Sequence, residues 1–278
     1  MTVLPQAETN YARSYGQHDF VAAGGEVVSV VSAPTWEDFY GRLQSSRRLG
    51  DFVLSPELIT FPAELEAIPA AQADIERRVD DVRQLSLERP DTTIVLGTPT
   101  FNDPTGRPAN SLLFIAAGDI AAQTNKSFSV HPVEKEVFTF QQAVAPATSL
   151  QRFTGMICSD MLGEGRRVVR RVAGDQPPRQ KVTPGTETVL LSACWAVPLV
   201  QDIFPESQIF INDHEKRFRL PLEARIAMLF ARNPNLRDVI VADRLPAGSE
   251  VEGPYNGHFT RAPEAAEPGS TLDAAAVA

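Results

Sequence analysis

Cysteine is scarce in this 278-residue sequence, which holds only Cys158 and Cys194. That is too few for the disulfide framework of a small secreted domain, so the reading is a cytoplasmic chain with a working thiol. Histidine is almost as rare. His18, His131, His214 and His258 are scattered, and no HExxH or CxxC spacing is present, so no metal site is expected. The phosphate loop GxxxxGK[ST], the GxGxxG turn after a strand and the GxSxG elbow are all missing. Nucleotide hydrolysis, dinucleotide redox chemistry and serine hydrolysis therefore lack their core residues. Basic charge is in deficit: 26 Lys and Arg stand against 35 Asp and Glu, a net charge of −9. This argues against binding nucleic acid or an anionic membrane, both of which need a cationic surface. No apolar run approaches the roughly 18 residues of a spanning helix. The first residues have neither a basic nor an apolar block, so no secretory signal is expected.

What is there is ordinary globular material, 43% hydrophobic and 22% charged. Residues 1–24 are polar and end in Ala-Ala-Gly-Gly, which predicts a flexible N-terminal arm. Residues 263–278 have almost no large apolar side chain and predict a disordered tail. Between them, 25–262 reads as one domain. Val27–Val31, Phe52–Leu54, Thr92–Leu96, Phe153–Ile157, Thr188–Ser192 and Val239–Ala242 are short apolar runs and predict strands; Ser111–Ala116 and Gly118–Ala122 predict a hairpin. Thr35 followed by Asp38 predicts a capped helix running to Leu49, where Gly50 stops it. Helical spacing of apolar residues predicts a helix over Ala70–Glu88; Arg166–Ala173 and Leu222–Arg232 predict two more. Strands alternating with helices mean an α/β protein.

Glu57, Lys126 and Cys158 each fall where a strand ends or a hairpin turns, the positions from which side chains escape the packed layer of an α/β sheet. Singly, each has a dull explanation: a solvated loop acid, a surface lysine, a buried small thiol. Jointly they supply a nucleophile, a base to deprotonate it and a cation to steady the charge that forms. Other residues carry less. Cys194 reads as core or pocket wall, and Asp160 as a helix cap. His131 needs no role once Glu57 is the base, and Glu136 competes with Glu134 for a place near Lys126. The arginines of 166–171 read as a solvated face or subunit contact.

At these residues the sequence resembles the nitrilase superfamily, the carbon–nitrogen hydrolases. Phe52-Val53-Leu54-Ser55-Pro56-Glu57 resembles that family's strand ending in Pro-Glu. Gly97, followed by Asn110-Ser111 and Gly118, is similar to its hairpin. Lys126, with Glu134 eight residues on, resembles its lysine and second glutamate. Gly155-Met156-Ile157-Cys158-Ser159-Asp160 resembles the nucleophile turn, and Leu190 to Trp195 the next strand with its tryptophan. Val239 to Arg244 and the Gly253–Phe259 stretch, read as a Gly-rich loop, resemble its late strand and loop. Ser159 departs from the pattern, which commonly has an aromatic there, and this implies an altered acyl pocket.

The resemblance implies a four-layer α-β-β-α sandwich and a cysteine-dependent hydrolase of a small-molecule amide or carbamoyl group, working through a thioester and without cofactor. Glu57 would be the base, Cys158 the nucleophile, and Lys126 with the Ser159 N–H the oxyanion donors. Glu134 would orient Lys126 or water, and Trp195 would line the pocket. It also implies a homodimer or higher homo-oligomer. Open alternatives are an N-acyltransferase or a nitrile-hydrolysing member of the same superfamily, and a non-catalytic scaffold on the same fold.

Overall fold

Side chains on neighbouring strand positions point to opposite faces, and in this chain both faces of the central strands are apolar. That pattern demands a cover on each side. The computed structural model describes residues 7–61, 64–102, 106–127, 132–140, 149–150, 152–158, 160, 182–194, 222–245 and 253–262. Its strands are β1 (Ala7–Ala12), β2 (Gly16–Val21), β3 (Val27–Ser32), β4 (Phe52–Leu54), β5 (Thr93–Thr100), β6 (Ala109–Ala116), β7 (Asp119–Asn125), β8 (Ser149–Leu150), β9 (Phe153–Ile157), β10 (Thr188–Cys194), β11 (Asp238–Arg244) and β12 (Asn256–Arg261). The α-helices are α1 (Trp36–Ser45), α2 (Gln72–Leu87), α3 (Pro132–Val137) and α4 (Leu222–Arg232).

These strands form two six-stranded sheets, ordered β1-β12-β11-β10-β9-β8 and β2-β3-β4-β5-β6-β7. In the first, β9, β10 and β11 run parallel; in the second, β3, β4 and β5 do. Val28, Val30, Phe52, Leu54, Val95, Leu112 and Phe114 meet Phe153, Ile157, Leu190 and Ile240 between the sheets. The rings of Phe52 and Phe153 lie 4.2 Å apart across that interface. The intervening residues face outward. Val53, Ile94, Leu96, Leu113 and Ile115 pack under Phe39 and Leu43 of α1 and Val82 and Leu85 of α2. Val189, Leu191, Val239 and Val241 pack under Ile226, Leu229 and Phe230 of α4. The result is the four-layer α-β-β-α sandwich expected of the sequence.

Local chemistry accounts for the boundaries. Thr35 Oγ1 accepts the Asp38 N–H at 3.1 Å and caps α1. The β6–β7 hairpin turns on Ala117 and Gly118, both at positive φ, as a two-residue turn between twisted strands requires. Helix α1 ends at Ser45 rather than Leu49, because Ser46 is already extended. Helix α2 begins only at Gln72; before it come two 3-10 turns, Leu65–Ala67 and Pro69–Ala71, and Pro69 has no N–H to continue a ladder.

Two expectations are corrected. The stretch read as a flexible arm forms β1 and β2 over most of residues 7–21. Each pairs antiparallel at the outer edge of a different sheet, β1 with β12 and β2 with β3. The stretch read as a Gly-rich loop becomes β12 from Asn256 on, paired on both sides. The predicted Arg166–Ala173 helix and the 263–278 tail lie outside the described residues. Among the described residues no helix is long and apolar enough to cross a membrane.

Candidate active site

The carboxyl ends of β4, β9, β10 and β11 and the end of β7 gather at one end of the sandwich. Glu57 stands three residues beyond β4, on a segment that crosses to the other sheet. Its N–H donates to the Ala193 carbonyl of β10 at 3.2 Å, and its own carbonyl accepts Arg244 Nε at 2.7 Å. The Ser192 hydroxyl donates to the Ser55 carbonyl at 2.9 Å and ties the same segment down. This crossing needs Gly97: a Cβ there would sit 2.4 Å from the Pro56 carbonyl oxygen. Leu58, next to Glu57, is held at φ 53°, a conformation non-glycine residues rarely adopt.

Lys126 follows β7 directly and is buried to 2% exposure, as is Glu57. Its Nζ donates to Glu57 Oε1 at 2.8 Å and to Glu134 Oε1 and Oε2 at 2.7 and 2.9 Å. Asn110, at the start of β6, donates Nδ2 to the same Glu57 Oε1 at 2.7 Å, and its carbonyl accepts the Lys126 N–H at 2.7 Å. One carboxylate oxygen of Glu57 is thus doubly held. The other, Oε2, makes no hydrogen bond to a described residue and is not sealed from solvent. Between the two competing acids, Glu134 on α3 is the one at Lys126. Glu136 is exposed, and its carbonyl accepts from Arg107.

Cys158 comes immediately after β9, at φ 45°, with its N–H donated to the Ser192 carbonyl at 2.9 Å. It is half-buried and packs against both the central core and the core under α4. Strain of this kind is tolerated where the surroundings over-determine it, and here Asp160 does much of the fixing. Its Oδ1 accepts both the N–H and the hydroxyl of Ser127, at 2.8 and 2.7 Å, and its Oδ2 accepts the Ile157 N–H at 3.2 Å. The Asp160 carboxylate, read from the sequence as a helix cap, straps the segment after Lys126 to the strand that carries Cys158. Ser159, Trp195 and His131 lie outside the described residues.

The charges are interdependent. Burial works against the Lys126 ammonium, yet the Cys158 sulfur, Glu57 and Glu134 together hold its pKa well above the ordinary lysine value. Burial is also the main influence on Glu57 and pushes its pKa up; Lys126 opposes the shift and Glu134 adds to it. Cys194, at the end of β10, differs in kind: burial pushes its thiol up to about 12, so it stays protonated and unreactive at neutral pH. Sequence reasoning left Asn110 and Arg244 without roles. Asn110 adjoins Ser111 in the quoted hairpin motif and Arg244 ends a quoted strand, but only the three-dimensional crossing of Glu57 shows what each touches.

No protein-family model and no curated protein matches the chain. Solved structures do match. A mutant form of the nitrilase-superfamily amidase of Nesterenkonia AN1 superposes with a TM-score of 0.52 at 15% identity, covering 91% of this chain and 92% of that one. Another variant of that amidase, with acrylamide added at its active site cysteine, gives 0.50 at 15%, covering 93% of each. Glutamine-dependent NAD+ synthetase from Acinetobacter baumannii gives 0.50 at 15%; the match covers 91% of this chain and 40% of that enzyme. With two facing sheets, helices on both outer sides and these neighbours, the chain has the fold of the nitrilase superfamily.

Proposed function

We propose that this chain is a cysteine-dependent hydrolase of a non-peptide carbon–nitrogen bond, acting on an amide or carbamoyl group of a small molecule. The observation that carries the reading is a buried Glu57–Lys126–Glu134 cluster whose lysine charge is felt by Cys158 at a strained strand end. The amidase neighbour that adds acrylamide at its cysteine supports the same reading.

In this mechanism Glu57 takes the thiol proton on its open Oε2, and the Cys158 sulfur bonds to the carbonyl carbon. The carbonyl oxygen becomes an oxyanion, held by the Lys126 ammonium and, as the resemblance implies, by the Ser159 N–H. Collapse breaks the C–N bond. The nitrogen leaves as ammonia or an amine with the proton that Glu57 carried. Water then attacks the thioester, giving one proton to Glu57, which returns it to the departing sulfur. A raised glutamate pKa suits this duty, because a base works best when its pKa lies near the operating pH. Glu134 spans Lys126 with both oxygens and keeps it aimed.

The test is ammonia release from a panel of short aliphatic amides, with iodoacetamide labelling alongside. Cys158→Ala is expected to abolish both turnover and the fast label while circular dichroism stays unchanged. Turnover retained in that variant overturns the proposal, and so does equal, slow labelling of Cys158 and Cys194 in the unaltered chain.

A further inference from the structure

Among the described residues the charged side chains around Glu57 have ion-pair partners except at one place. Lys126 lies between two carboxylates, but Arg244, 7% exposed at the end of β11, faces none among the described residues. Its only hydrogen bond there is Nε to the Glu57 carbonyl at 2.7 Å. Its two terminal amino groups have no described partner, and neither is among the sealed, unpartnered polar atoms. A buried cation without an anion costs free energy that an ordinary surface arginine avoids. The planar guanidinium fork is also the group that pairs best with a carboxylate.

The position is as informative as the charge. Arg244 pairs in register with Cys194 on β10, and β10 in turn lies beside β9, whose end carries Cys158. Two strand spacings therefore separate the Arg244 and Cys158 backbones, about 10 Å, and Arg244 Nε sits at the carbonyl of Glu57 itself. With a net charge of −9 the molecule as a whole repels anions, so an anion at this spot requires a local cation.

We infer that Arg244 holds the far end of the substrate, and that the amide or carbamoyl compound taken by this site carries a carboxylate a few carbon atoms from the scissile carbonyl. A carboxylate fits better than a phosphate: one guanidinium matches one negative charge and two oxygens, and no second free cation stands beside it among the described residues. This rests on the hydrolase reading for the identity of the reacting end, but binding can be measured without turnover.

Dissociation constants would be measured by calorimetry on the Cys158→Ala protein, using matched probes: succinamate against butyramide, and glutaramate against pentanamide. Each pair differs only in a carboxylate replacing a methyl group. The acid amide is expected to bind about ten-fold tighter or more in at least one pair, as a charge-assisted bidentate contact allows. In the Cys158→Ala, Arg244→Gln protein that ratio is expected to fall to about one. Arg244→Lys, which keeps the charge without the fork, should reduce it about five-fold and serves if the Gln variant does not fold. A ratio below about three-fold with Arg244 present overturns the inference. So does a ratio that survives both substitutions, because a purely structural role through the Glu57 carbonyl would weaken both members of a pair alike. Ammonia release from succinamate by the chain with Cys158 intact is the separate test of hydrolysis: tight, Arg244-dependent binding without release would keep this inference and refute that one.

Discussion

Glu57 receives two donors, Lys126 and Asn110, on one oxygen and leaves the other open, so its protonation state governs the site. Burial raises its pKa, and a base must be ionised to work. The expected kcat/KM therefore falls as pH drops through the raised value, and this acid limb lies above the ordinary glutamate range. Lys126 is shifted upward too, so it stays charged throughout and contributes no limb in the neutral range. A pH profile of amide hydrolysis checks this. Glu57→Gln should lower kcat/KM by about 10²–10⁴ and erase the acid limb. Gly97 offers a second residue-scale test. Gly97→Ala forces a methyl against the Pro56 carbonyl, and overpacking of that kind costs about 1–3 kcal/mol. Because the displaced segment carries Glu57, turnover should fall about a hundred-fold; urea unfolding and kinetics on the same sample separate the two effects.

At the scale of elements, Asp160 joins two of them. Asp160→Ala removes three accepted hydrogen bonds at a 3%-exposed position. Bonds to a charged group contribute about 1.5–3 kcal/mol each and are not additive, so a total loss of about 3 kcal/mol is expected in urea unfolding. Asp160→Asn, which keeps an acceptor, should lose less. How far such elements were legible follows from the same physics. The central strands could be read because the packed sandwich makes both their faces apolar, and α1 because Thr35 and Asp38 mark its start. The order of Glu57, Lys126, Glu134 and Cys158 could also be read. β1 and β2 could not: AETNYA and GQHDFV are polar edge strands that gain ladder hydrogen bonds with little apolar burial, so hydrophobic periodicity passes over them. Asp160 and Arg244 were visible as residue types, but the segments they tie down, at Ser127 and Glu57, lie 33 and 187 positions away in the chain. No local pattern encodes such a separation.

At the scale of the molecule, two sheets pressed together by interleaved aromatic and aliphatic side chains leave their open strand ends pointing the same way, and that shared rim holds Glu57, Lys126, Glu134, Asp160 and Arg244. The N-terminal ribbon touches this rim as well. Between β1 and β2 the Ser14 carbonyl accepts Asn256 Nδ2 at 3.0 Å, and the Tyr15 hydroxyl accepts the Leu245 N–H at 3.3 Å, one residue from Arg244. A chain trimmed to start at residue 25, as the polar look of that stretch invites, would strip the outermost ladder from both sheets at once. The bare backbones of β3 and β12 would then offer themselves to neighbouring molecules, with rising light scattering and a lowered melting temperature as the measurable signs. What passes in the letters for a flexible arm is the hem that keeps both fabrics from unravelling.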